Sequence, residues 1–81
     1  MLQSVAGTDV RLTLHDGETL TIASGDVDRV YENLWRLAPR PGAVTLAGVL
    51  VAESRGKTLR VVDLTEAQSA IIREAIAMPD A

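Results

Sequence analysis

The sequence predicts an α+β domain of order ββαββα, a two-layer fold with a four-stranded antiparallel sheet and two helices on one face. Three observations predict it. Apolar residues alternate around an Asp-Gly pair, two later segments carry apolar residues at spacings of three and four, and residues 49–79 approximately repeat the pattern of residues 10–39. The chain has 81 residues, 47% of them hydrophobic. We therefore expect one domain, 1–81, with residues 1–8 and 80–81 loose.

A β-hairpin is predicted for residues 10–22. Apolar and polar residues alternate with a period of two on both sides of the turn, as in half-buried strands. Asp16-Gly17 between them is a preferred pair for a two-residue type I′ turn, in which both central residues have positive φ. The apolar residues of the two strands are Val10, Leu12, Leu14, Leu20 and Ile22.

The first helix is predicted to begin after Ser24, a good N-cap, and to end before Pro39. Its apolar stripe is formed by Val27, Val30, Tyr31, Leu34, Trp35 and Ala38. The opposite, solvent-facing side is formed by Asp28, Arg29, Glu32, Asn33 and Arg36.

The third strand is predicted at residues 43–53, which are almost continuously apolar and rich in β-branched side chains. Such runs are typical of central strands that are covered on both faces. Gly48 within the run indicates a bulge, and Gly56 indicates a second hairpin turn. Residues 58–62 then form the fourth strand, with Leu59 and Val61 facing inward.

The second helix follows a capping-box pattern, Thr65-Glu66-Ala67-Gln68, and ends before Pro79. Its buried residues are predicted to be Ala67, Ala70, Ile71, Ala75 and Met78, with Ile72 and Ile76 on an adjoining stripe. The two halves match at Gly17 and Gly56 and at Pro39 and Pro79, so an internal pseudo-repeat is possible, although chemical identity between the halves is low.

Composition constrains the kind of function. There is no cysteine and no phenylalanine, so thiol chemistry is excluded and the core must be aliphatic. Eight basic and eleven acidic residues give a net charge of −3, which argues against non-specific binding to nucleic acid or anionic membranes. With no signal peptide and no long apolar run, the sequence indicates a cytoplasmic protein, and its Arg-rich, Ala-rich composition suggests a bacterial source.

No catalytic, metal or cofactor motif stands out. His15 is the only histidine, and Asp16 and Glu18 adjoin it in sequence, but a general base also needs a pocket and a hairpin tip is exposed. We interpret it as a solvated turn residue, and we expect no enzyme activity and no cofactor. Tyr31 and Trp35 lie one helical turn apart. We interpret them as the large rings of the core, the alternative being an interface hot spot.

The functional prediction is a non-catalytic protein–protein interaction module, homodimeric through the sheet. The apolar third strand exceeds what one helical layer covers, so we expect Val49, Leu50 or Val51 to contribute to an interface with a second copy or another protein. The alternative is binding of nucleic acid or an anionic ligand by arginines on the open sheet face and the Pro-rich corner. These are Arg11, Arg36, Arg40 and Arg60.

Overall fold

A computed structural model describes residues 8–56 and 63–79 of the chain. The elements are β1 (Val10–Thr13), β2 (Thr19–Ile22), α1 (Val27–Arg36), α2 (Ala43–Ser54) and α3 (Glu66–Ala77), with one 3₁₀ turn at Ser24–Asp26. The α+β class is confirmed, but the four-stranded sheet with two helices is wrong. Within the described residues the sheet has two strands, and three helices pack around it.

The hairpin forms in the register that the alternation predicts. Val10 pairs with Ile22 and Leu12 with Leu20, in an antiparallel ladder. The turn is not type I′, because Gly17 (φ 85°) is the only residue of the turn with positive φ. The Gly17 N–H donates to the Leu14 carbonyl at 2.9 Å, which closes a longer loop that ends in a left-handed glycine.

The outer side of β1 is also occupied. Asp63 forms a parallel bridge with Thr13, and the Leu64 N–H donates to the Thr13 carbonyl at 2.9 Å. Leu64 is buried in the core. Thr8, which we expected to be loose, donates its N–H to the Ser54 carbonyl at 3.0 Å and so holds the start of the hairpin against the end of α2.

The first helix is confirmed with two differences. The chain enters it through the 3₁₀ turn at Ser24–Asp26, and Ser24 makes no capping bond there. Val27, Val30 and Leu34 are buried as predicted. The sequence pattern predicted that Asn33 faces solvent, but it is buried. Its side chain donates a hydrogen bond near the end of α3.

The third strand is wrong, because residues 43–54 form helix α2. Its buried residues recur at helical spacings of three and four, and the run is twelve residues long, which suits a helix better than a strand. The β-branched residues misled the prediction, since propensity yields to tertiary packing. The buried residues of α2 are Ala43, Leu46, Ala47, Leu50 and Ser54.

With α2 in place of a strand, the second hairpin and the pseudo-repeat are also wrong. The helix runs through the position at which the second hairpin would begin. The predicted fourth strand, residues 58–62, lies outside the described residues.

The last helix begins at the predicted capping box. The Gln68 N–H donates to Thr65 Oγ1 and the Thr65 N–H donates to Gln68 Oε1, both at 3.1 Å. Its buried side is turned slightly from the prediction, since Ala67 and Ala70 are exposed. The buried residues are Ser69, Ile71, Ile72 and Ala75.

The core is aliphatic, as the absence of phenylalanine predicts. Among residues 8–56 and 63–79, the fifteen buried hydrophobic residues are all Val, Leu, Ile or Ala, and they come from the hairpin, the three helices and Leu64. Helix α1 contacts both α2 and α3, and α2 also contacts α3 and β1. Among the described residues, no helix has the length and apolar character that crossing a bilayer requires.

Candidate functional site

Two large apolar side chains lie on the surface near the α1–α2 connection. Trp35, in the last turn of α1, is 47% exposed, and Val44, in the first turn of α2, is 49% exposed. Tyr31 packs its ring edge-to-face against Trp35, with the ring centroids 6.3 Å apart and the planes at 75°. The interpretation of Trp35 as a core residue is therefore wrong, and the alternative that we weighed, an interface residue, fits its exposure.

Helix α2 presents an uncharged face to solvent. Val44, Thr45 and Gly48 are exposed and Ala52 is half-buried, and their spacings of three and four place them on one side. We call these four residues the α2 open face. No charged residue occurs between positions 43 and 52. A surface helix ordinarily carries charges on its solvent side, so the composition of this face is unusual.

Gly48 lies in the middle of this face without an internal reason for being glycine. A Cβ built there meets no other atom within 4 Å, and its φ is not positive. Glycine inside a helix costs about 1 kcal/mol relative to alanine. Close packing within the chain therefore does not explain it, whereas a flat surface for an approaching backbone would.

Of the predicted interface residues, Leu50 lies on the core side of α2, whereas Val49 and Val51 flank the α2 open face at helical spacing. Leu50 is 1% exposed and belongs to the core, and Val49 and Val51 are half-buried and packed against it. The contact role of Val49, Leu50 and Val51 was predicted from a strand that does not exist. The apolar surface of this segment belongs instead to Val44 and its helical neighbours.

The predicted anion-binding arginines do not form a cluster of free cations. Arg40 forms an ion pair with Glu74, and Arg36 donates to Asn33 Oδ1 at 3.2 Å. Arg11 is exposed on β1, and Arg60 lies outside the described residues. The alternative of anion binding stays a prediction.

A buried polar cluster joins α1 to the end of α3. Arg29 Nη1 donates to the carbonyls of Ile76 and Met78 at 3.0 and 2.7 Å. Asn33 Nδ2 donates to the carbonyls of Ala75 and Met78 at 2.9 and 3.2 Å. The last turn of α3 contains no basic residue, so α1 supplies the donors and the positive charge that a helix C-terminus favours.

The hairpin turn is tied to α3 by charge. Arg73 Nη2 lies 2.9 Å from Glu18 Oε2 and 3.4 Å from Asp16 Oδ2. The Glu18 N–H bonded to Asp16 lowers the pKa of the Asp16 carboxyl, and the nearby Arg73 and His15 lower it further. His15 is exposed, and its backbone N–H donates to Ser69 Oγ at 3.0 Å.

These polar contacts join elements of the fold to one another. Searched over residues 8–56 and 63–79, the histidine and carboxylate side chains form no group that could hold a metal ion. The buried Asn33 and Ser69 are bonded to backbone groups. The surface that has no internal explanation is the α2 open face together with Trp35.

Sequence reasoning missed this surface because it assigned the wrong period to residues 43–54. Read with a period of 3.6, Ala43, Leu46, Ala47 and Leu50 form one side, and Val44, Thr45 and Gly48 form another. The sequence is compatible with that period as well as with a period of two, because the run is almost continuously apolar. The burial of Asn33 could not be predicted from the sequence, because it depends on where α3 ends.

Comparison of the chain with models of protein families, with curated proteins and with solved structures found no match.

Proposed function

We propose that the chain is a non-catalytic protein–protein interaction module that binds another protein chain through the α2 open face and Trp35. The observation that carries the proposal is an uncharged helix face that exposes Val44, in a chain whose tryptophan is exposed as well. Isolated exposed apolar residues are ordinary, but contiguous ones on a small domain are typical of contact surfaces.

The chemistry of the surface favours an apolar helix as the bound element. The side chains along this face are small, so a second helix can pack closely on it. The residues are Val44, Gly48 and Ala52. Trp35, in the last turn of α1, offers a large exposed ring, and its partner Tyr31 limits the orientations of that ring. An anchor that is ordered before binding loses less conformational entropy on binding.

The non-catalytic part of the proposal is motivated by residue types. The chain has no cysteine, and its one histidine lies on an exposed turn. The sequence also predicted association with a second copy through an apolar strand. Since that segment is helix α2, the occupant proposed for this surface is another protein.

Photocross-linking tests the proposal. A benzoylphenylalanine at position 44 should form a discrete heavier adduct in cells that express the chain, whereas the same group at position 70 should not. Ala70 is an exposed residue of α3 and provides the matched control. Equal yields at the two positions, or adducts only with further copies of the chain, would contradict the proposal.

Reconstitution with the purified partner completes the test. Val44→Glu and Trp35→Ala should each weaken binding at least about tenfold, which corresponds to about 1.4 kcal/mol. Ala70→Glu should leave the dissociation constant unchanged. All three variants should retain the circular dichroism spectrum of the parent chain, because all three positions are exposed.

A further inference from the structure

Among the described residues, no segment pairs with the outer edge of β2. Residues of an antiparallel pair alternate between facing their partner strand and facing away from it. The Thr13 carbonyl faces away, toward Leu64, so Thr19, which pairs with Thr13, directs its own N–H and C=O away from β1. Thr21 has the same orientation two residues later. Within residues 8–56 and 63–79, no third strand joins β2, and both threonines are exposed.

This edge is short, at four residues, but it lacks the other features that usually prevent strands from pairing. Natural edges are protected by lysine, proline, bulges or a covering segment. Residues Thr19–Ile22 include no charged residue and no proline, and their ladder with β1 is regular. The backbone N–H and C=O groups that point outward from β2 recur every two residues. Another extended strand has groups at the same spacing and can therefore pair with them.

We infer that two copies of the chain join along β2 in antiparallel orientation, with Leu20 on the two-fold axis. In this register Thr19 pairs with Thr21 of the second copy, and Thr21 pairs with Thr19 of the second copy. Each of these pairs exchanges two backbone hydrogen bonds. The side chains of the paired threonines then adjoin on the solvent face of the joined sheet, a favourable cross-strand pair.

Two features of the strand favour a second copy over an unrelated peptide. Glu18, the charged residue that adjoins the edge, falls opposite Ile22 of the second copy, so like charges do not meet. Leu20 is the half-buried member of a pair whose other residue, Leu12, is buried. Across the two-fold axis Leu20 meets its own copy, and its exposed part is covered.

The first test removes the outward donor. Thr21→Pro deletes an N–H that points away from β1 and leaves the bonds made by Leu20 and Ile22. By sedimentation velocity we expect the parent chain to dimerise, at twice its 8.6 kDa, and the variant to dimerise at least about tenfold more weakly. Thr21→Val keeps the N–H and should dimerise like the parent.

A second test does not depend on proline. Thr19→Lys with Thr21→Lys places lysines opposite each other across the axis and should give monomers. Thr19→Lys with Thr21→Glu places opposite charges there and should restore the dimer. A monomeric parent chain, a dimer that tolerates Thr21→Pro, or equal association of the two charge variants would overturn the inference.

The inference stands apart from the proposed partner surface. Trp35→Ala and Val44→Glu should leave the dimer intact, since Trp35 and Val44 lie in the helices and not along β2. A dimer lost in those variants and kept in Thr21→Pro would assign self-association to the α2 open face, which would also overturn the inference.

Discussion

At the scale of single residues, Asn33 shows how a buried amide can join two helices. It is 2% exposed, its Nδ2 donates to two carbonyls at the end of α3, and its Oδ1 accepts from Arg36. Every hydrogen-bonding group of this side chain thus has a use in the fold. Removing one partner of a buried hydrogen bond costs more than the bond itself contributes, because the other group is left unsatisfied.

We therefore expect Asn33→Ala to lower the free energy of unfolding by about 1–3 kcal/mol, measured by urea denaturation. The neighbouring Glu32 is exposed, so Glu32→Ala should change stability by no more than about 0.5 kcal/mol. Equal effects of the two substitutions would mean that the contacts of Asn33 with α3 contribute no net stability.

For a substitution at Gly48 we expect the opposite effect on stability. An added methyl group meets open space and removes the entropic cost of glycine in a helix. Gly48→Ala should raise the free energy of unfolding by about 0.5–1 kcal/mol, again measured with urea. If a partner helix packs on this face, the same variant should weaken partner binding. A destabilised Gly48→Ala chain would contradict the open environment of this residue.

At the scale of elements, α2 is the decisive difference between the predicted and the observed fold. The hairpin, α1 and the capping box of α3 could be predicted because each depends on local alternation, spacing or turn chemistry. The segment 43–54 could not be assigned in this way, since a continuous apolar run satisfies both periods. Which side of it faces solvent depends on the packing of α1, α3 and β1 around it.

A substitution series along α2 distinguishes helix from strand. Leu46→Ala and Leu50→Ala should each cost about 2–5 kcal/mol, because both side chains are buried. Thr45→Ala and Val44→Ala should change stability by no more than about 0.5 kcal/mol. In a strand, Val44 would share the face of Leu46 and Leu50, so a large cost at Val44 in thermal or urea unfolding would contradict the helix.

The candidate surface was predictable only in part. The sequence predicts that residues 43–52 hold more apolar surface than one helical layer covers, and it offers an interface role for Trp35 only as the alternative to a core role. The specific residues Val49, Leu50 and Val51 were derived from a strand, and their contact role stays a prediction, because a change of period moves each side chain to another side. Val44 is exposed only because Leu46 and Leu50 turn toward the core.

At the scale of the whole molecule, charges connect parts of the chain that are distant in sequence. Arg73 of α3 holds Asp16 and Glu18 of the hairpin turn, and Arg40 of the α1–α2 connection pairs with Glu74. All of these side chains are well exposed, and exposed pairs contribute little to stability individually. Together these ion pairs link the hairpin turn and the α1–α2 connection to α3.

The lowered pKa of Asp16 predicts a dependence of stability on pH. The folded chain holds this carboxyl ionised to a lower pH than the unfolded chain does, chiefly through the Glu18 N–H. Its contribution is present above the ordinary carboxyl pKa, about pH 4, and is lost as the pH falls through the lower folded value. The fold should therefore lose stability on acidification.

Thermal unfolding between about pH 2 and pH 6 measures this effect. Asp16→Asn should flatten the acid limb of the melting-temperature profile, whereas Glu32→Gln, at an exposed position of α1, should reproduce the parent profile. An Asp16→Asn profile as steep as that of the parent would show that other carboxylates account for the acid sensitivity.

The hydrogen bonds that Arg29 and Asn33 donate to the end of α3 also affect the rates of folding and unfolding. These bonds join residues 42 to 49 positions apart, whereas the hairpin closes over a few residues. Closing a long loop costs entropy before its contacts repay it, so we expect α3 to dock after the transition state. In stopped-flow measurements Asn33→Ala should then speed unfolding and barely slow refolding. Those few hydrogen bonds would then determine how long the molecule stays folded before it unfolds.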